Sequence, residues 1–138
     1  MTIPVSRPTD GRLNSAIANA VVRGHKRVLG RGPMRAQAFF RNNYIAVVLE
    51  DRLTQSEQSL VAGGGRDAVL DMRLQYQQVL RDELVSAIEE LTACKVDAFL
   101  SGSHIGPDLV FELFVLDQPL PGEHADPDSD QGTAAASP

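Results

Sequence analysis

The chain has no tryptophan, one cysteine, two tyrosines and five phenylalanines in 138 residues. With so few rings, a hydrophobic interior must be built mainly from Leu, Val, Ile and Ala. Cys94 alone excludes an internal disulfide and fits a reducing compartment. Long apolar runs are missing too. The longest, Tyr44 to Leu49, falls far short of the roughly 20 residues of a membrane-spanning helix. Met1 to Arg12 has no apolar stretch of the kind a secretory signal carries. These absences predict a soluble, cytoplasmic protein with no direct membrane insertion. Metal ligands are sparse: His25, His104 and His124 stand far apart, with no Cys or carboxylate at ligand spacing, so no metal and no cofactor is expected.

Acidic residues are nearly absent from the first third. Residues 1–45 carry eight basic side chains against Asp10, a balance of +7, and the remainder carries five basic and seventeen acidic ones, −12, for the net −5. Such a division suits an anionic partner for the basic part, or attraction between the two halves within one chain or across a dimer.

What is present is a pattern that occurs twice: a helix-period segment, a break, then two strand-period segments. Leu13, Ile17, Ala20, Val21, Gly24 and Val28 share one helical face. Gly30 offers a left-handed cap, and Pro33 prevents continuation. Strands follow at Arg35 to Arg41 and Tyr44 to Glu50, joined by Asn42-Asn43, which tolerate the positive φ angles of a two-residue hairpin. Pairing Arg41 with Tyr44 gathers Ala36, Ala38, Phe40, Ile45, Val47 and Leu49 on one face and sets Arg35 opposite Glu50. Thr54-Gln55-Ser56-Glu57 is a capping box opening a short helix. Gly63-Gly64-Gly65 ends that helix and reads as a connector. Asp67 is expected to cap a long helix reaching about Ala93, with Val69, Arg73, Tyr76, Leu80, Leu84, Ile88 and Leu91 along one stripe. At ~1.5 Å per residue this helix outruns strands of about 25 Å, so a homodimer is expected to cover the overhang.

The last strands are Val96 to Ser101 and Leu109 to Leu116. In the latter, Val110, Glu112, Phe114 and Leu116 alternate with Leu109, Phe111, Leu113 and Val115. The order α-β-β-α-α-β-β gives an α+β fold: a two-layer sandwich with a four-stranded antiparallel or mixed sheet and helices on one face. One domain over 10–117 is expected between disordered tails at 1–9 and 118–138, whose compositions cannot offset ordering entropy.

Little here has the spacing of a known chemistry. Cys94 follows a helix and reads as a buried, inert thiol. Ser101-Gly102-Ser103-His104 lacks an orienting acid. No catalytic residue is assigned, and the chain is not expected to be an enzyme. Interaction or structural candidates remain. Arg31, in the rigid turn Gly30-Arg31-Gly32-Pro33, can reach a partner. Arg73, inside an apolar stripe, either runs its head out to solvent or forms a buried pair or dimer contact. The sheet face away from the helices, read as carrying Arg35, Phe39, Arg41, Tyr44, Phe99, Val110, Glu112 and Phe114, is too apolar for idle surface. Arginines between rings can bind single-stranded nucleic acid, but Glu50, Asp97 and Glu112 on that face favour self-association or protein docking.

Several segments together resemble the MpsC-like (YbcI-like) proteins. They are Leu13-Asn14 to Ile17 leading into Gly30-Arg31-Gly32-Pro33, Leu53-Thr54 to Glu57 and Leu60, Arg73, Ile88-Glu89 to Leu91-Thr92 before Val96, and Phe111-Glu112-Leu113-Phe114-Val115-Leu116. The resemblance covers about residues 11 to 117. Cys94 stands where that family's pattern has glycine, implying a different turn after the long helix. The resemblance implies association with a Na+-translocating, membrane-potential-generating or inorganic-carbon uptake system, and it brings no catalytic residues with it. The expected function is that of a small accessory or regulatory domain, dimeric, with a membrane-complex protein as a further partner. The alternative is a nucleic-acid-binding module using the basic N-terminal half.

Overall fold

The computed structural model describes residues 10–121, apart from 34 and 51–52. The tails expected at 1–9 and beyond 121 lie outside the described residues. The elements are α1 (Asp10–Leu29), β1 (Arg35–Arg41), β2 (Tyr44–Glu50), α2 (Gln55–Ala62), α3 (Arg66–Thr92), β3 (Val96–His104) and β4 (Leu109–Leu116). This is the expected order, and the fold is α+β. The four strands form one antiparallel sheet in the order β1-β2-β4-β3. The second strand of each helix-strand-strand unit therefore lies at the centre. The two units meet as antiparallel neighbours, the arrangement a duplicated pattern gives when its copies pair about a pseudo-two-fold axis.

Local signals explain most boundaries. Gly30 adopts φ 83°, and its N–H donates to the Lys26 carbonyl at 2.9 Å, ending α1. Asn42 supplies φ 57° in the β1–β2 turn, and the register runs from Arg35 opposite Glu50 to Arg41 opposite Tyr44, as the hairpin spacing predicts. Thr54 and Glu57 close the capping box: the Glu57 N–H donates to Thr54 Oγ1 at 3.0 Å and the Thr54 N–H to Glu57 Oε1 at 2.8 Å.

Three expectations need correction, and the turn after α3 takes its own form. The N-cap of α3 is Gly65, without a side-chain cap, and Asp67 lies inside the first turn, where a carboxylate suits the positive helix end. The left-handed residue after α3 is Ala93 at φ 59°, leaving Cys94 buried beside it. Strand β3 continues through His104 rather than stopping at Ser101. The domain also extends past 117, because Leu120 is 4% exposed in the core and its N–H donates to the Asn42 carbonyl at 2.8 Å.

A fourth correction concerns the faces of the sheet. β2 pairs with β4 so that Ile45 lies opposite Phe114, Val47 opposite Glu112 and Leu49 opposite Val110. Val110, Glu112, Phe114 and Leu116 therefore point toward the helices, and all are buried. Phe99, opposite Phe114 on β3, joins them, with ring centroids 5.0 Å apart. Both strand phases of β4 are apolar, so alternation alone could not orient it. Glu112 argued for the wet side, yet its carboxylate is buried.

The core lies between the sheet and the α1–α3 pair: Leu13, Ile17 and Val21 from α1 and Leu80, Leu84 and Ile88 from α3 pack against Phe40, Ile45, Val47, Leu49, Phe114 and Leu116. Gly24 lets α1 and α3 close up, since a Cβ there would come within 2.9 Å of Leu84 Cδ2. The buried positions of α3 span Val69 to Ile88. α2 buries none of its own residues, and its first turn shares a small pocket with Arg73 and Tyr76. The N-terminal part of the long helix is thus covered in part by α2 of the same chain.

Candidate functional site

Three arrangements of side chains stand apart from the apolar core. The first is the sheet face away from the helices. Strand register sorts it into four rows, each crossing β1, β2, β4 and β3 in turn. Phe39, Ala46, Leu113 and Leu100 form one. Arg41, Tyr44, Val115 and Ala98 form the next. Gln37, Val48, Phe111 and Gly102 lie on the other side, and Arg35, Glu50, Leu109 and His104 close that end. No described helix covers this face, and Phe39, Tyr44, Phe111 and Leu100 are 49%, 50%, 42% and 57% exposed. Charge is confined to the margins, where Arg35 pairs with Glu50 at 2.7 Å. Of the residues assigned to this face from sequence, Arg35, Phe39, Arg41 and Tyr44 are there; Phe99, Val110, Glu112 and Phe114 are on the opposite side. Leu100, Phe111, Leu113 and Val115, the other phase of β3 and β4, take their place.

The second joins the turn Gly30-Arg31-Gly32-Pro33 to the long helix. Arg73, 2% exposed, forms an ion pair with Asp108, and its Nη1 donates to the Leu109 carbonyl at 3.5 Å. The other Asp108 oxygen accepts the Leu53 N–H at 2.6 Å. One carboxylate thus ties α3, the lead into α2 and the β3–β4 turn. The buried-pair reading of Arg73 is the correct one, and the missing partner was Asp108, 35 residues away. Arg31 lines both the ~80 Å³ pocket beside Arg73 and Glu57 and a wider cleft of about 630 Å³ beside Leu53 and Asp108. Gly30, Gly32 and Pro33 hold the turn that carries Arg31 there.

The third was not foreseen. His25 on α1 and Glu112 on β4 are both fully buried, and His25 Nε2 lies 3.0 Å from Glu112 Oε2. Ser101 is the cross-strand neighbour of Glu112, and Gln77 is buried on α3 one turn beyond Arg73. His25 Nδ1, Glu112 Oε1, Ser101 Oγ and both amide atoms of Gln77 are buried without a hydrogen-bond partner. Left dry, each such group costs roughly 1–3 kcal/mol. The signals were legible but weak. His25 stands four residues after Val21 on the apolar face of α1, and Gln77 sits between Arg73 and Leu80 in the stripe of α3.

Elsewhere the acidic and basic halves do meet within the chain: Arg27 pairs with Glu83, and a groove of about 820 Å³ between α1 and α3 has Arg23 and Lys26 on one wall and Asp82 and Glu90 on the other. His104 Nδ1 lies 2.9 Å from the Pro107 carbonyl. Among the described residues, no group of three or more His, Cys, Asp and Glu could hold a metal ion. None of the described helices is long and apolar enough to cross a membrane.

Fold and surface thus define a small two-layer α+β domain built from a duplicated helix-strand-strand unit, with one bare apolar sheet face. The family described as "Na+-translocating membrane potential-generating system (MpsC)" matches residues 9–118, and the chain belongs to it. No curated protein and no solved structure matches the chain.

Proposed function

We propose that this chain is a non-enzymatic accessory or regulatory domain. It pairs with a second copy of itself through the bare sheet face and serves a membrane ion or inorganic-carbon uptake system by protein contact from the cytoplasm. The single observation that carries the reading is the exposure of Phe39, Tyr44, Leu100 and Phe111 on one continuous face, since water-exposed apolar patches of this extent mark interaction surfaces. The size suits a second copy. Four strands about 4.8 Å apart and roughly 25 Å long give close to 500 Å² in plan. With side-chain relief, that is near the ~800 Å² per partner of a standard interface. Two such sheets stacked ~10 Å apart by a two-fold axis bury the apolar rows and leave the Arg35–Glu50 margin wet. The link to an ion system rests on the family's description.

The nucleic-acid alternative has less support, because Arg27 and Arg35 are engaged by Glu83 and Glu50 and the bare face is apolar at its centre.

Sedimentation velocity tests the reading. The full chain is expected to run as a dimer at micromolar concentration, and Phe111→Lys, which places a charge in the middle of the stacked sheets, is expected to run as a folded monomer. A wild-type chain that stays monomeric at 100-fold higher concentration overturns the reading. A gel-shift series from low to high salt checks the alternative, since nucleic-acid binding weakens steeply with salt; no retardation is expected.

A further inference from the structure

Strand register brings three connections to one end of the sheet. Arg35, Glu50, Leu109 and His104 share the last row, so the α1–β1 turn, the lead from β2 into α2 and the β3–β4 turn all meet the sheet there. Asp108 ties two of these segments to α3 through Arg73 and the Leu53 N–H. The cleft of about 630 Å³ is lined from all three connections and from α2. None of its lining residues belongs to the bare sheet face, so it is independent of the pairing reading.

Leu53, Val61 and Ile105 give this cleft apolar walls; Ile105 is buried, and the other two are half-buried. Arg31 supplies a charged one. Gly30, at φ 83°, turns the chain out of α1, and Gly32 packs so closely on that helix that a Cβ would lie 3.1 Å from Lys26 Cγ. The turn is thereby held against α1 with Arg31 on the cleft. Among the described residues, Arg31 has no ion pair and no side-chain hydrogen bond. Asp108 is already compensated, since Arg73 meets one oxygen and the Leu53 N–H the other. Glu57 lines the ~80 Å³ pocket and not the cleft, and its Oε1 accepts the Thr54 N–H. The uncommitted charge of the cleft is therefore positive.

Cavities of roughly 300–1,000 Å³, with apolar walls and a few placed polar groups, are those of small-molecule sites. A guanidinium offers a planar fork of donors that fits a carboxylate through two parallel hydrogen bonds. The apolar walls suit a hydrocarbon body. A doubly charged head is disfavoured, because the carboxylates of Asp108 and Glu57 stand on either cavity beside Arg31. α2 contributes Gln58 and Val61 to the cleft and buries none of its own residues, so this wall can adjust to a ligand without disrupting a packed core.

We infer that the cleft binds a small organic monocarboxylate, its head on Arg31 and its apolar body on Leu53, Val61 and Ile105.

Titration of the full chain, followed through its backbone amide NMR shifts, tests the site with four probes: hexanoate, hexanamide, acetate and inorganic phosphate. Hexanoate is expected to move the amides of Arg31, Leu53, Val61 and Ile105 and to saturate with a dissociation constant on the order of 1 mM, a range open to so small a ligand. Hexanamide lacks the charge and acetate lacks the body, so each is expected to bind about tenfold more weakly or worse. Arg31→Gln is expected to make hexanoate no better than hexanamide, and Val61→Glu, which sets a like charge in the apolar wall, to weaken hexanoate by about tenfold. Arg23→Gln, in the groove between α1 and α3, is expected to leave the titration unchanged. The amide spectrum shows whether each variant is folded, and if Arg31→Gln is not, Val61→Glu with the hexanamide comparison decides. Hexanamide binding as well as hexanoate, a hexanoate affinity that survives Arg31→Gln and Val61→Glu, phosphate binding more tightly than hexanoate, or no saturable shift at these amides overturns the inference.

Discussion

At the residue scale, the interior is notable for which polar groups it accepts. Arg73 is enclosed because Asp108 meets it and Leu53 fills the second carboxylate oxygen. Removing one partner of such a pair leaves a charge without compensation, which costs more than the pair itself contributes. Arg73→Met is expected to lower unfolding free energy by about 3 kcal/mol, measured by urea denaturation. A loss under ~1 kcal/mol means that Asp108 regains water and that the pair is not structural. Arg73 could be singled out from sequence because it interrupts an apolar stripe. Asp108 could not, since it lies in a turn where Asp is ordinary. Glu112 misled for a related reason: it is acidic, in a strand whose two faces are both apolar, and only His25 on a distant helix makes its burial tolerable.

At the element scale, the clearest oddity is the end of α3. Ala93 holds φ 59°, a conformation in which an L residue is strained and glycine is not. Ala93→Gly is expected to stabilise the chain by about 0.5–1 kcal/mol, the relief of strain outweighing the extra freedom of glycine in the unfolded chain. A shift of the urea midpoint at constant slope reads this effect, and an unchanged or lower midpoint contradicts it. Hairpin register and the capping box were legible because each depends on neighbours in sequence: Asn42-Asn43 forces Arg41 against Tyr44, and Thr54 needs only Glu57 three residues on. The start of α3 was less so. Three consecutive glycines allow several caps, and the one adopted at Gly65 uses backbone alone.

At the scale of the whole molecule, one layer of helices covers one side of a four-stranded sheet and leaves rows of rings and aliphatic chains on the other. If a second copy covers those rows, folding and association are linked, and the unfolding midpoint rises with protein concentration. A melting temperature that climbs by a few degrees between 2 and 200 µM (about a hundredfold) is the expected result for the wild-type chain, with no such climb for Phe111→Lys. The size of α3 pointed to the same conclusion by a weaker argument. Part of the surface that seemed to require a partner is covered by α2.

The sequence by itself determined what depends on short range: three helices, two hairpins, the register of the first, the repeated helix-strand-strand unit and the family to which it belongs. Period-2 alternation assigns a strand to a face only when its two sides differ in polarity, and β1 and β2 meet that condition. β4 does not. Its facing was decided by antiparallel pairing with β2, which aligns Phe114 with Ile45 and Glu112 with Val47. That pairing, made across more than 60 residues, also turned Glu112 toward the helices, where it meets His25. No local pattern records such a meeting, because the residues share neither a helix face nor a strand, and only the packed layers put them within reach of one another.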